Sequence, residues 1–353
     1  MLASILRTLF KRNRSPDELF IAALAAFDAD EAERAEPEFV AITQSDPGHA
    51  GAWLYAAACA FDRGDPTLAR ERVARGRAVD PTNHDFMYID AQALAALGQS
   101  AEAIAACQEA VTAKPDFSPG YILWSKLELP GEFYLVLLSR LHALTSPPTY
   151  LEIGVFNGES FQHAGPRTQA LGIDPQPQLT FPLPANGRII AKTSDAFFAE
   201  HDVRAEFGGR AVALGFIDGM HLFEYALRDF INLERVCEPS GTILIHDCYP
   251  LHPVPAGRDR RSVFWCGDVW RLILILKKYR PDLRVNTIAT RPSGLGVVRG
   301  LDPDSTLLAE RYEAIVAEFM ALDLATLEGV KPERLGLVPN EWGSVLALFP
   351  EFV

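Results

Sequence analysis

The stretch Tyr150-Leu-Glu-Ile-Gly-Val-Phe-Asn-Gly-Glu-Ser160, followed by Leu171-Gly-Ile-Asp-Pro175, constrains the fold of this 353-residue chain more than any other feature. It reads as an apolar strand, a glycine-bearing turn, a helix start and a second apolar strand that ends in a carboxylate. Gly154 and Gly158 would let backbone approach a ligand closely, because a side chain at either place would fill that space. Asp174 lies 20 residues after Gly154, where the second strand of such a unit presents an acid to ribose hydroxyls. The spacing Gly154-x-x-x-Gly158 does not fit the G-x-G-x-x-G dinucleotide fingerprint, so the expected ligand is a nucleoside other than NAD. A glycine turn alone also occurs in sheets that bind nothing; the acid at 174 and the segments that follow give it weight.

Ahead of this unit the pattern is different. Residues 16–117 are Ala-rich with helical periodicity, and Pro47, Pro81 and Pro115 recur at a spacing of 34 residues. Gly64 and Gly98 keep the same period, as do Ala35, Ala69 and Ala103. The repeat resembles the tetratricopeptide helix-turn-helix, with Trp53, Ala57, Ala69 and Pro81 at the expected places of the best-preserved unit. Asp90 stands where a leucine is usual, so about three degenerate units are expected, the first the weakest. The resemblance implies a concave surface for a protein partner and no chemistry of its own. Residues 118–148 read as a helical bridge, with an apolar helix from Phe133 to Leu144 stopped by Pro147 and Pro148. Residues 1–15 read as a short amphipathic segment that docks on the protein's own surface; neither a signal peptide nor a transmembrane span is expected.

After Pro148, short apolar strands alternate with helices, as in a parallel α/β sheet. Arg188–Ala191 is a third strand, with Ser194 and Asp195 at its carboxyl end. Strands at 211–218 and 241–247 end in Ile217-Asp-Gly-Met-His221 and Ile245-His-Asp247. Side by side, they bring Asp218, His221, His246 and Asp247 towards one place, a costly burial unless a ligand, a metal or mutual pairing offsets it. Residues 249–265 form a Pro- and Arg-rich loop long enough to cover a substrate, and Arg258, Arg260 and Arg261 either face an anionic substrate or are solvated. Asp268 is expected to cap the helix after it, and 283–290 with 294–299 read as an antiparallel pair. Residues 301–353 add a helix near 307–324 and a tail with Trp342, Phe349 and Phe352, which packs on the core or forms a homodimer contact.

Taken as a set, these segments resemble the class I S-adenosylmethionine-dependent methyltransferases over residues 149–300, and within them methyltransferase family 24. The resemblance implies an α/β fold: a Rossmann-like, seven-stranded, doubly wound sheet with an antiparallel edge strand, behind the all-α repeat array. It implies S-adenosylmethionine along Glu152, Gly154, Phe156, Asn157, Gly158, Asp174, Ser194, Asp195 and Asp218, and O-methylation of a small-molecule or glycan acceptor. A base is then needed, and Asp218, His221, His246 and Asp247 all remain open for it. Some relatives hold a divalent ion such as magnesium on these two loops, which here would fall to Asp218 and Asp247. Met220 and His246 depart from that oxygen-rich pattern and weaken it. The alternatives are a catalytically inactive cofactor-binding scaffold that docks a partner, and a metal-dependent hydroxylase or hydrolase.

A net charge of −13 argues against non-specific binding to nucleic acid or anionic membrane. Cys59, Cys107, Cys237, Cys248 and Cys266 are scattered and lack C-x-x-C spacing, the pattern of free thiols in a reducing cytosol, so a cytoplasmic protein is expected.

Overall fold

A computed structural model describes residues 15–29 and 31–352; the segment read at 1–15 lies, apart from Ser15, outside the described residues. The chain divides into two compact units between Glu128 and Leu129, inside the stretch read as a bridge.

The first unit is helical: α1 Pro16–Asp28, α2 Ala32–Ser45, α3 Ala50–Asp62, α4 Pro66–Val79, α5 His84–Ala96, α6 Ser100–Ala113 and α7 Ser118–Glu128. The 34-residue period is now visible in the helix starts themselves, and it makes Ser118–Glu128 the first helix of a fourth period rather than part of a bridge. Pro47, Pro81 and Pro115 each follow a helix end closely, because a proline cannot continue the ladder. Ala35, Ala69 and Ala103 are fully buried, which lets paired helices approach. Asp90, the departure from the apolar pattern, accepts a hydrogen bond from Arg70 Nε at 2.7 Å.

The second unit opens with α8, Tyr134–Thr145, which stops at Ser146 before Pro147 and Pro148. There follow β1 Thr149–Ile153, β2 Gln169–Ile173, β3 Gly187–Ile190, α9 Ser194–Glu200, α10 Val203–Glu206, β4 Val212–Ile217, α11 Phe223–Val236 and β5 Cys237–His246. Next are α12 Trp270–Tyr279, β6 Arg284–Ile288, β7 Leu295–Arg299, α13 Leu307–Glu310, α14 Tyr312–Met320 and a two-residue β8, Leu337–Val338. Among the described residues the sheet has eight strands in the order β3-β2-β1-β4-β5-β7-β6-β8, one more than the seven expected. The extra strand is β8, parallel to β6. The antiparallel strand is β7, which pairs with β5 and β6 and gives this side of the sheet the antiparallel character expected of the edge.

One face of the sheet packs on α8: Leu137, Leu138 and Leu141 share a buried cluster with Tyr150, Phe161, Phe216 and Leu244. On the other face, a Cβ at Gly215 would lie 2.5 Å from Leu233 of α11, and one at Gly296 3.1 Å from Ile273 of α12. The helix expected after Gly158 is only a single turn at Phe161–His163, since Gly165-Pro166 closes the segment within a few residues. Val345 and Phe349 of the tail join the α8-side cluster, while Phe352 stays exposed. All five cysteines are buried and unpaired. Among the described residues, no helix is long and apolar enough to cross a membrane.

Candidate active site

The parallel registers set Ile153 of β1 beside Ile217 of β4, and Ile217 beside Ile245 of β5, so all three strands open at one level. Among the described residues, three of the four non-glycine residues with left-handed backbone follow these ends: Phe156 (φ 46°), His221 (φ 55°) and Asp247 (φ 62°). Such conformations cost energy and persist only where neighbours hold them. The neighbours here are charged. His246 Nδ1 lies 3.1 Å from Asp218 Oδ1 and 3.4 Å from Asp247 Oδ1. His221 Nδ1 is 2.6 Å from Asp247 Oδ2, off the hydrogen-bond axis, and its Nε2 is 3.6 Å from Asp218 Oδ1. Ser293 Oγ donates to Asp247 Oδ1.

Acids and imidazoles thus alternate, which resolves the repulsion two bare carboxylates would feel. Burial works against a charge on His246, but Asp247 and Asp218 outweigh it and hold the imidazole well above its ordinary pKa. His221 is raised in the same way, burial opposing and Asp247 prevailing. For Asp247, burial would favour the neutral acid, and the two imidazoles more than reverse it, leaving the carboxyl well below the usual range. The group lines a small hollow of about 10 Å³, room for a single water, together with Gly219, Met220 and Asp229.

The 249–265 loop covers this place through Trp265, whose ring stacks on His221 at 5.1 Å and 13°. Arg258 does not face a substrate: it bonds Glu224 and Asp268, each at 2.9 Å from Nη1. Arg260 lies over the Trp265 ring, and Arg261 is exposed beside Asp259. Asp268 caps a different helix from the one expected, accepting from Phe223 N at the start of α11.

Of the residues expected on the cofactor side, Glu152 lies in β1, Ser194 and Asp195 open α9, and the others fall on the turns after β1, β2 and β4. A Cβ on Gly154 (φ 88°) would sit 2.0 Å from the Asp218 carbonyl oxygen, so the space it leaves is filled by the chain's own backbone and not kept for a ligand. Gly158 (φ 86°) faces Leu179 at 3.1 Å. Asp174 accepts from Phe156 N at 2.8 Å and Gln176 N at 2.7 Å, which ties the two turns together. Asn157 Oδ1 accepts from Glu159 N, and the Phe156 ring is exposed. Glu152 is fully buried, and burial pushes its pKa up to about 8 against the hydrogen bonds from Ser160 and Tyr150, each 2.5 Å. Neither Ser194 nor Asp195 caps α9; Thr193 does. Ser194 bonds Asp229, which burial raises to about 7, and Asp195 takes a two-pronged bond from Arg228 at 3.0 and 2.8 Å.

The structure therefore unites Asp218, His221, His246 and Asp247, and seats Gly154, Phe156, Asn157, Gly158 and Asp174 on the adjoining turns, with Glu152 in β1 beside them. Ser194 and Asp195 are engaged with α11. Sequence reasoning missed Tyr134, whose ring lies 4.2 Å from that of His246, and Ser293; no spacing links either to the cluster. As for a metal, ligand atoms of Asp218, His221 and Asp247 lie within 4.8 Å of one another. The two imidazoles already balance the two carboxylates, however, and Met220 in the same hollow offers a hard cation no oxygen. The residues present do not call for an ion.

Residues 151–248 match a methyltransferase domain model, and residues 22–76 and 60–116 match a tetratricopeptide repeat model. No curated protein matches the chain. Similar solved structures include MamA from Desulfovibrio magneticus RS-1, 20% identical over 33% of this chain and 66% of that one, with a TM-score of 0.31. The Yersinia enterocolitica type III secretion translocator chaperone SycD is 24% identical over 34% of this chain and 88% of its own, also with a TM-score of 0.31. The chain thus spans just under two thirds of that MamA structure, and each likeness covers about a third of this chain.

Proposed function

We propose that this chain, in which tetratricopeptide repeats precede a methyltransferase domain, is an S-adenosylmethionine-dependent enzyme that methylates a hydroxyl of a small molecule or glycan. The observation that carries the reading is the cluster of Asp218, His221, His246 and Asp247 at the strand ends of the matched domain, beside the Gly154 turn. The residues that would hold the cofactor are Phe156, Asn157, Gly158 and Asp174 on the tied turns, with Glu152, Gly154, Ser194, Asp195 and Asp218 around them. When bound, it supplies an electrophilic methyl group. The remaining work falls to the chain.

A hydroxyl acceptor needs a base, because its pKa is far above neutrality. The carboxylates beside His221 and His246 raise both pKa values and so favour the charged imidazoles, which makes them the poorer candidates. Asp247 accepts from Ser293 at Oδ1, and its Oδ2 is buried against His221, so neither oxygen is open to an acceptor. Asp218 Oδ2 makes no hydrogen bond among the described residues, and it is the atom we assign to accept the hydroxyl proton. Trp265 and its loop would exclude water and orient the acceptor, and orientation is a large share of such catalysis. The repeats would dock a protein partner on their concave surface.

Calorimetric titration of the full chain with S-adenosylhomocysteine tests the cofactor assignment. Micromolar binding is expected, weakened by about 1.5–3 kcal/mol in Asp174→Ala. An absence of binding, or an unchanged affinity in the variant, would end the assignment.

A further inference from the structure

The opposite edge of the sheet carries a second hollow. The amino-terminal ends of β2 and β3, with α10 and the turn into β4, enclose an open cleft of about 350 Å³. Arg167, Arg188, Arg210, Gln169, Asn186 and Glu206 line it. Glu206 is the one carboxylate of that lining, and it is already taken up: Oε2 lies 2.6 Å from Arg188 Nη2, and Oε1 2.8 Å from His201 Nδ1. Arg167 and Arg210 are exposed, and their side chains make no hydrogen bond or ion pair among the described residues. Gln169 Oε1 is buried without a partner, an uncommon state for a polar atom and one that a ligand's donor would relieve.

Lone exposed arginines are ordinary. Two of them converging on one concavity, in a chain of net charge −13, beside an unsatisfied amide oxygen, are not. A guanidinium presents a planar fork of donors that matches phosphoryl oxygens. The cleft's volume lies within the roughly 300–1,000 Å³ of small-molecule sites, and its concavity suits a compact ligand better than a protein face.

We propose that this cleft binds a soluble, hydroxyl-bearing phosphate ester of the sugar-phosphate class. The phosphoryl group would lie between Arg167 and Arg210, and a ligand hydroxyl would donate to Gln169 Oε1. β2 runs about 16 Å from this edge to the other, so the site is separate from the acid–imidazole cluster and independent of the function assigned to it.

Calorimetric titration of the full chain with glucose 6-phosphate and, separately, inorganic phosphate tests the proposal. Saturable binding of glucose 6-phosphate is expected, at least tenfold tighter than inorganic phosphate. Arg167→Glu with Arg210→Glu should weaken it at least tenfold while the thermal midpoint stays within about 2 °C, as both side chains are exposed. If that pair does not fold, Arg167→Gln with Arg210→Gln should weaken binding in the same direction. The proposal fails if glucose 6-phosphate gives no saturable heat, or if the folded variant binds as tightly as the parent. It fails equally if inorganic phosphate binds as well as the ester, or if the chain sediments with phosphatidic acid vesicles but ignores glucose 6-phosphate.

Discussion

Replacing Gly154 by alanine should damage the α/β unit more than replacing Gly158, although the two residues share nearly the same backbone, φ 88° and 86°. The left-handed conformation alone costs an L-residue about 1–2 kcal/mol, and both variants incur it. At Gly158 the new methyl meets the end of the Leu179 side chain at 3.1 Å, which can move aside. At Gly154 it meets the Asp218 carbonyl oxygen at 2.0 Å and Gly219 Cα at 2.8 Å. That is backbone at the end of a central strand, so the clash should add about 1–3 kcal/mol, as overpacking does elsewhere. We expect losses of about 2–5 kcal/mol for Gly154→Ala and about 1–2 kcal/mol for Gly158→Ala. Hydrogen exchange of the β4 amides in the full chain reports opening of this unit and gives both values. Equal losses would refute the idea that Gly154 exists to let the β1 turn rest on Asp218.

Between pH 4.5 and 8, the folded chain keeps a proton on Glu152 that the unfolded chain releases, so stability should fall as pH rises through that window. Glu152→Gln should flatten that slope in urea titrations taken at several pH values; an unaltered slope would clear Glu152 of the effect. Asp247→Asn removes the largest attraction that opposes burial at His246, so its imidazole should lose its proton at a lower pH than in the parent. Imidazole nitrogen chemical shifts followed against pH report this, and an unshifted titration would contradict the pairing scheme. Trp265→Ala should make the 249–265 loop several-fold more sensitive to protease with little change in the global transition, since it removes the ring resting on His221. Protection equal to that of the parent would mean that Arg258 alone anchors the loop.

The helical period was legible because every second helix must stop at the same place, and Pro47, Pro81 and Pro115 mark the stops. The meeting of Asp218, His221, His246 and Asp247 was legible for a different reason: strand ends in a parallel sheet share an edge, whatever the details of packing. What the pattern hid was set by contacts distant in sequence. Asp268 looked like a local cap and serves α11 instead; Gly154 looked like ligand space and is backbone contact. Arg258 could not be told from a substrate clamp until Glu224 appeared beside it. Leu337–Val338 is too short to carry any alternation, so the eighth strand had no periodic signal. The short connection after Gly158 was readable in Gly165-Pro166, which leaves the helix start no room beyond a single turn.

The β6–β7 turn bears on how portable the acid–imidazole cluster is. Ser293 holds Asp247, while Arg291 O accepts from Tyr134 N and Thr290 Oγ1 donates to Glu132 O, so one turn fastens both the acid and the entry of α8. Tyr134, Trp265 and Ser293 all lie outside residues 151–248. A chimera that transplanted only the matched segment into another sheet would therefore carry every acid and imidazole of the cluster yet arrive without its fastenings. A useful graft has to begin before Glu132 and run past Gly294.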